Sequence, residues 1–233
     1  MSKISENKII LEIIKNVVKN RKSSLHSPTF NNLEIKHLKK CIKSTFVSTS
    51  GKVVDEFAKK IKFFTKAKFV IPVVSGTAGL HLSLKAIKLR ANDEVLIPAL
   101  NFIASTNTVI YENAVPHFVD IDKNHLSIDL NKLENYLKKI TKFKNGKLIN
   151  KITNRQIKCL ITTHVFGHIE EITELKKICK KYKLVLVEDA AEALGSFYNS
   201  KHAGTFGKIG VLSFNGNKTI TTGGGGAVLT DDK

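Results

Sequence analysis

Cysteine is scarce in this sequence, and its few copies form no recognisable framework. Cys41, Cys159 and Cys179 are odd in number and lie far apart along the chain. They show neither the spacing of a metal site nor the pattern of a disulfide-stabilised domain. We therefore expect no bound metal and no disulfide bond, and we expect the protein to work in the reducing cytoplasm.

Long apolar runs are also missing. The apolar stretch at residues 9–18 is interrupted by Glu12, Lys15 and Asn16, and it is too short to span a bilayer. It lacks a small-residue cleavage site, so we expect neither a membrane segment nor a secretory signal. The hydrophobic fraction of 42% is instead typical of a globular protein with a buried core.

Arginine is rare although the chain is strongly basic. The formal net charge is +18, but the arginines are limited to Arg21, Arg90 and Arg155, and the lysines run through the whole sequence. No block combines dense basic residues with interleaved aromatic residues, which favours a lysine-rich solvated surface over a nucleic-acid-binding surface. A nucleic-acid binder stays an alternative, which the absence of salt-dependent binding to DNA or RNA would remove. The positive field would attract an anionic substrate.

Apolar residues recur at helical spacing in three N-terminal segments. This spacing predicts helices at residues 8–19, 33–43 and 53–64, with a polar connector at residues 21–32. We divide the chain into the first helix with its connector, residues 1–30, and one large domain, residues 31–233. We expect the first helix to pack on that domain or on a partner subunit.

Beyond these helices, short apolar segments alternate with helical patterns. Strands are predicted at residues 70–74, 94–98, 115–119, 158–162, 184–188 and 211–214, and helices after the turn at 75–77 and at 130–140 and 171–181. The lysine-rich residues 141–156 are expected to be exposed to solvent. The alternation predicts an α/β fold with a mostly parallel central sheet, in which ligands bind beyond the carboxyl ends of the strands.

A turn of small residues, 75–78, lies between the first predicted strand and its helix. Backbone N–H groups and the positive end of the helix dipole are exposed at such a turn, which favours a phosphate. By itself the turn is weak evidence, because most strand-to-helix turns contain Gly, Ser or Thr for backbone reasons alone.

Carboxylates and a lysine follow two later strands. Glu188 and Asp189 end a buried strand, where a carboxylate needs a metal, a cation or a protonated ring nitrogen, or else caps a helix. Ser213 ends another strand, and Lys218 follows in a small-residue loop that leads to four glycines, 223–226. In so lysine-rich a chain, spacing alone does not distinguish Lys218 from an ordinary surface lysine.

Together these segments resemble the cofactor motifs of the DegT-type nucleotide-sugar aminotransferases, which are fold-type-I pyridoxal-phosphate (PLP) enzymes. The matching segments are residues 74–82, 188–196 and 213–218, and the similarity covers nearly the whole chain. Residues 44–48, 51–52 and 166–168 are similar to the subgroup that aminates C4 of nucleotide-linked 4-keto-6-deoxy sugars, in pathways of the legionaminic-acid, bacillosamine and perosamine type. The resemblance implies the large domain of an aspartate-aminotransferase-like fold.

The resemblance also implies the chemical roles at the site. Lys218 would form the Schiff base with PLP and move the proton between the amino acid and the cofactor. Asp189 would pair with the pyridine nitrogen and keep it protonated. His164 follows a predicted strand and is either a residue of the cleft or an ordinary core histidine.

Other matched residues would hold the cofactor in place. Gly76, Thr77, Ala78 and Ser213 would bind its phosphate. Phe102 would stack on its ring, and Glu192 would lie near its phenolic oxygen, where many relatives have Gln. Gly79 stands where relatives usually have Ala or Ser, and we expect it to weaken the start of its helix slightly.

The implied reaction transfers an amino group from L-glutamate, through PLP, to C4 of a nucleotide-linked 4-keto-6-deoxy sugar, for the synthesis of cell-surface polysaccharides or glycans. Relatives in this family are expected to act as homodimers and to continue into a small C-terminal domain, whereas this sequence stops at Lys233. We therefore expect that domain to be absent, the large domain to be incomplete at its C-terminal end, and the isolated chain to be a poor or inactive enzyme.

Two alternatives share the resemblance. A non-catalytic remnant or binding protein would keep the fold and the PLP-site motifs without turnover, and PLP titration would separate it from the enzyme, since a competent site gives a visible absorption band with PLP. A related PLP sugar dehydratase would have His in place of the Schiff-base lysine, and Lys218 argues against that assignment.

Overall fold

The computed structural model describes residues 3–19, 26–169 and 171–232 of the chain. Its first elements are the helices α1 (Lys3–Val18), α2 (Asn32–Ser44) and α3 (Lys52–Thr65), so the three predicted N-terminal helices are confirmed. Residues 21–25 of the predicted connector lie outside the described residues. Helix α2 begins with a capping box, in which the Asn31 side chain accepts a backbone hydrogen bond and the Glu34 carboxylate accepts one from the Asn31 N–H group.

Helix α1 carries its apolar side chains on the surface. These exposed residues are Ile9, Ile10, Leu11, Ile13, Ile14 and Val17. The expected packing of this helix on the large domain is therefore not seen among the described residues. The division of the chain at residue 30 stays a prediction.

The remaining elements are strands alternating with helices. The strands are β1 (Phe69–Val73), β2 (Glu94–Pro98), β3 (Val115–Val119), β4 (Thr141–Lys144), β5 (Lys147–Asn150), β6 (Ile157–Thr163), β7 (Val185–Asp189), β8 (Phe197–Tyr198), β9 (Lys201–His202), β10 (Ile209–Ser213) and β11 (Gly226–Thr230). The helices are α4 (Gly76–Ala86), α5 (Ile103–Tyr111), α6 (Leu130–Ile140) and α7 (Ile172–Tyr182). All six predicted strands, and three of these helices, agree with the sequence-based expectation.

Seven strands form the central sheet in the order β1-β11-β10-β7-β6-β2-β3. The pairs β10–β7, β7–β6, β6–β2 and β2–β3 are parallel. Strand β11 runs antiparallel to both of its neighbours. The predicted α/β fold with a mostly parallel sheet is confirmed.

Helices cover both faces of this sheet. Helices α4 and α5 pack on one face, where Leu80, Leu84 and Val109 belong to a single buried cluster with strand residues. Helices α6 and α7 cover the other face, and α3 covers the part of that face formed by β10 and β11. Strands β2 and β10 are buried at every residue, and β7 is buried at every residue except Val185. This burial is expected for strands that lie between two helical layers.

The lysine-rich excursion is more ordered than its composition suggests. Strands β4 and β5 form an antiparallel hairpin, in which Leu148 and Asn150 are each only 2% exposed. The Asn150 amide donates a hydrogen bond to Glu94 at 2.9 Å. The expectation of a purely solvent-exposed segment is therefore wrong, because one side of the hairpin packs on the edge of the core.

Candidate active site

The carboxyl ends of the central strands meet at two adjoining cavities of about 250 Å³ and 160 Å³. The larger one is lined by Ser75, Gly76, Thr77, Ser213, Asn215, Gly224 and Gly225, among others. The smaller one is lined by Leu100, Asn101, Thr163, His164, Val165, Glu192 and Lys218. Phe102, Asp189 and Ala191 line both cavities, so the two form one continuous cleft.

The larger cavity lies at the N-terminus of α4. Ser75 caps this helix, and its hydroxyl accepts a hydrogen bond from the Ala78 N–H group at 3.1 Å. A helix N-terminus leaves its first N–H groups without partners inside the helix, so those of Gly76 and Thr77 are available to an anion. The N–H group of Ala78, which the sequence predicted to bind a phosphate, already donates to the Ser75 hydroxyl in the structure.

Two close backbone approaches shape this cavity. A Cβ atom on Gly76 would lie 3.0 Å from the Cβ atom of Ser213, so the α4 turn and the end of β10 are in contact. A Cβ atom on Gly226 would lie 2.7 Å from the carbonyl carbon of Ser75, a distance that no side chain tolerates. The last residue of the glycine run therefore allows β11 to pass directly beneath the turn.

Asp189 lies at the floor of both cavities and is 3% exposed. Its carboxylate accepts hydrogen bonds from the Ser105 hydroxyl at 2.8 Å and from the Ala191 N–H group at 3.2 Å. Burial raises the pKa of Asp189, and these two neutral donors offset only part of that effect. The site therefore favours a ligand that brings a positive charge to this carboxylate.

Lys218 also lines the smaller cavity. Its ammonium nitrogen is 3.1 Å from Oε1 of Glu192 and 5.6 Å from the centre of the Phe102 ring. The other oxygen of Glu192 accepts a hydrogen bond from the Phe166 N–H group at 3.1 Å. Glu192 and Phe102 thus hold the amine over the cleft, and its side chain is only 12% exposed.

His164 and Glu188 form a buried pair behind the cleft. Nε2 of His164 is 2.8 Å from Oε2 of Glu188, and His164 is 4% exposed. Glu188 also accepts hydrogen bonds from the N–H groups of Gly204, Phe206 and Gly207. His164 lines the smaller cavity and is also a hydrogen-bonded core residue, so it combines both of the roles that the sequence left open.

Sequence reasoning missed Thr163, which lines the smaller cavity, and Ser105, which is buried behind the cleft as a donor to Asp189. Ser105 reaches Asp189 from α5, a helix that the hydrophobic pattern did not reveal, and Thr163 is the last residue of β6. A polar residue at the carboxyl end of a parallel strand was the available signal for Thr163. No local signal pointed to Ser105, which comes within reach of Asp189 through packing of α5 on the sheet.

The donor set of the cleft fits PLP. A helix N-terminus and a serine hydroxyl suit a phosphate, a buried carboxylate suits a protonated ring nitrogen, and a primary amine suits an aldehyde. Among residues 3–19, 26–169 and 171–232, no group of three or more His, Cys, Asp or Glu side chains could hold a metal ion. Within the same residues, no helix is long and apolar enough to cross a membrane.

This α/β fold with a mostly parallel sheet is that of the fold-type-I PLP-dependent enzymes. A structure of a GDP-4-keto-6-deoxymannose-3-dehydratase mutant with bound GDP-perosamine superposes with a TM-score of 0.77 at 27% identity, over 89% of this chain and 51% of that one. The Streptococcus pneumoniae protein Spr1654, described as a sugar aminotransferase in its pyridoxamine-phosphate form, shares the fold with a TM-score of 0.80 at 22% identity, over 91% of this chain and 53% of that one.

The chain belongs to the DegT/DnrJ/EryC1/StrS aminotransferase family, whose model matches residues 28–233. The GDP-perosamine synthase of Escherichia coli O157:H7 is 35% identical over 209 residues, which cover 90% of this chain and 53% of that protein. The GDP-perosamine synthase of Vibrio cholerae is 35% identical over 207 residues, which cover 89% of this chain and 52% of that protein. The chain thus spans about half the length of the curated relatives that it matches.

Proposed function

We propose that this chain is the PLP-binding part of a nucleotide-sugar aminotransferase. The observation that carries the proposal is the meeting of Lys218, Asp189 and the α4 turn in one cleft. The α4 turn lies more than a hundred residues before Asp189 and Lys218 in the sequence, and each of the three groups suits a different part of PLP. When bound, PLP supplies an aldehyde that accepts an amino group and a ring that delocalises the resulting electron pair.

The residues of the larger cavity would anchor the cofactor. The N–H groups of Gly76 and Thr77, with a smaller contribution from Ala78, would bind the phosphate together with the Ser213 hydroxyl. Phe102 and Ala191, which line both cavities, would enclose the ring. Asp189 would hold the proton on the ring nitrogen, because an ion pair offsets the cost of burying its carboxylate.

Lys218 would carry the reacting proton. In the structure its ammonium group is paired with the Glu192 carboxylate. Glu192 would accept the proton that the amine must lose before it reacts with a carbonyl. When its amine is free, Lys218 would serve in the cleft as a general base and acid. Glu192 and Phe102, which contact its end, would keep the amine oriented between these steps.

The amino donor and acceptor are further parts of the proposal. We propose L-glutamate as donor and C4 of a nucleotide-linked 4-keto-6-deoxy sugar as acceptor, within the synthesis of a cell-surface glycan. The names of two relatives, GDP-perosamine synthases, support an amino sugar carried on a nucleotide. A homodimer of the whole protein, acting in the cytoplasm, completes this proposal.

Borohydride labelling tests the cofactor lysine. The protein is incubated with PLP, reduced, digested and mapped by mass spectrometry, and we expect the pyridoxyl group on Lys218. The Lys218→Arg variant should lose the label and the visible absorption band of bound PLP. Lys201→Arg, at an exposed lysine in β9, is the matched control and should keep both. A label on any other lysine in the wild-type chain would contradict the assignment.

A half-reaction separates amino transfer from cofactor binding alone. Adding L-glutamate to the PLP-loaded chain should bleach the visible band and release 2-oxoglutarate in one equivalent. If the label is on Lys218 but glutamate causes no change, the chain keeps the PLP site without transfer, which is the alternative function. Subsequent addition of GDP-4-keto-6-deoxymannose should restore the band if the sugar assignment is right.

A further inference from the structure

Ser105 lies behind the cleft, in contact with Asp189. It belongs to the first turn of α5 and is fully buried, and its hydroxyl donates a hydrogen bond to Oδ2 of Asp189 at 2.8 Å. The Ala191 N–H group donates to the other oxygen, Oδ1, at 3.2 Å. Because these two donors come from different segments of the chain, together they fix the orientation of the carboxylate that lines both cavities.

The start of α5 also holds Phe102, which lines both cavities. Phe102 is the residue that precedes the helix, and its carbonyl oxygen accepts a hydrogen bond from the Ser105 N–H group at 3.0 Å. The Thr108 hydroxyl donates to the carbonyl oxygen of Ser105 at 3.0 Å. A single helical turn therefore links the aromatic ring beside the cavities to the carboxylate at their floor.

The hydrogen bond from Ser105 also affects the charge of Asp189. Ionising a buried carboxyl group is costly, and a hydroxyl that donates to it favours the ionised form. The titratable neighbours that favour the same form are Lys218 and, when protonated, His164. Glu188, the adjacent carboxylate, points to the other face of the sheet. Ser105 thus supplies the side-chain hydrogen bond that opposes the effect of burial.

We propose that Ser105 is a positioning residue that keeps Asp189 ionised and directed at the ring nitrogen of PLP, a role that rests on the function proposed above. The carboxylate and the ring nitrogen share one proton. With the Ser105 hydrogen bond in place, the carboxylate is the weaker base and the proton stays on the nitrogen. Without that bond the proton moves to Asp189 and leaves the nitrogen neutral, which makes the ring a poorer electron sink.

Three variants test this role through the affinity for PLP. Ser105→Ala removes the donor to Asp189, and titration followed by the visible band should show about ten-fold weaker binding. Ser105→Thr keeps a hydroxyl and should bind within about three-fold of wild type. Thr108→Val is the matched control, because it removes a buried hydroxyl of the same helix that donates to a backbone carbonyl. It should also bind within about three-fold of wild type.

Two spectroscopic measurements separate positioning from a merely structural role. Nitrogen NMR of bound, ring-labelled PLP should show a protonated ring nitrogen in wild type and Thr108→Val, and a shift toward the neutral form in Ser105→Ala. In the PLP-free protein, carbon NMR of the Asp189 carboxyl group should give a titration midpoint about one pH unit higher in Ser105→Ala than in wild type. A structural role would lower the stability of both alanine and valine variants and leave these two signals unchanged.

The same data distinguish this inference from the proposed function. If wild type binds PLP on Lys218 and Ser105→Ala matches Thr108→Val in affinity and in both NMR signals, the role of Ser105 is wrong and the proposed function stands. If wild type shows no PLP on Lys218, the proposed function is wrong and the inference about Ser105 falls with it.

Discussion

Glu188 and Asp189 are adjacent in sequence, but the fold shifts the pKa values of their carboxyl groups in opposite directions. Successive residues of a strand point to opposite faces of the sheet, so their side chains meet different surroundings. Burial alone would raise the pKa of Glu188, but hydrogen bonds from His164, Gly207 and Gly204 bring it below the ordinary value. Asp189 has weaker compensation, and its pKa is raised by burial. Glu188 therefore stabilises the fold, whereas Asp189 faces the cleft and is available to a ligand.

The Glu188→Gln substitution should therefore destabilise the protein strongly. The carboxylate accepts from three backbone N–H groups and from His164, and a glutamine amide would direct its own N–H group at one of these donors. We expect a loss of about 3 kcal/mol in the free energy of unfolding, measured in urea. Glu174→Gln, which affects an exposed pair with Lys177, is the control and should change it by less than about 0.5 kcal/mol. Equal effects of the two substitutions would show that the buried network contributes little.

At the scale of the element, α4 joins the cleft to the core. Its N-terminus is fixed by the Ser75 cap, and its buried residues include Leu80 and Leu84. Gly79 lies between the Ser75 cap and Leu80, where the helix backbone packs closely against the β10 residue Val211. The sequence indicated only that this glycine weakens the helix, whereas the structure shows that it permits the approach.

Replacing Gly79 with alanine tests this packing. A Cβ atom there would lie 2.7 Å from Cγ1 of Val211 and 3.4 Å from methyl groups of Val228 and Val73. The gain in helix propensity is about 1 kcal/mol, and overpacking costs about 1–3 kcal/mol, so we expect a net loss of about 1 kcal/mol in urea unfolding.

Gly216→Ala provides the matched control for Gly79→Ala. No heavy atom lies within 4 Å of a Cβ atom at Gly216, so this substitution has the same effect on the unfolded chain without a clash. Its stability should be within about 0.5 kcal/mol of wild type. A Gly79→Ala variant more stable than wild type would show that α4 moves outward at little cost.

At the scale of the whole molecule, three buried carboxylates contribute to the dependence of stability on pH. Glu94 and Glu188 have pKa values below their ordinary 4.5, and Asp189 has a pKa above its ordinary 3.8. Groups with lowered values stabilise the fold above about 4.5 and lose that contribution as the pH falls through their folded values. Asp189 acts in the opposite sense, because its ionisation destabilises the fold as the pH rises through its raised value.

The PLP-free protein should therefore lose stability on acidification below about pH 4.5, mainly through the two glutamates. Urea unfolding between about pH 3 and pH 8 measures this dependence, and Glu188→Gln should show a smaller acid loss than wild type. Adding PLP should raise stability, because a positive partner offsets the cost of ionising the buried Asp189. An identical pH dependence in wild type and Glu188→Gln would mean that Glu188 is not the group responsible.

The amino-acid sequence by itself determined six of the seven strands of the central sheet, every described helix except α5, and the three segments that meet at the cleft. Apolar periodicity and small-residue turns are local properties, so β1, β2, β7 and the Ser75 turn follow from their own residues. The pattern did not reveal α5, because its threonine, valine and isoleucine residues have weak helix propensity and packing on the sheet holds it in place.

Tertiary structure alone decided which partner each polar group has. Residues 163 and 189 become neighbours through strand register, Ser105 reaches Asp189 across the face of the sheet, and Glu188 and Asp189 are separated by the pleat. It also placed the apolar side of α1 at the surface, where its spacing suggested burial. The physical reason is that periodicity specifies one element at a time, whereas burial and hydrogen bonding depend on elements far apart in the chain.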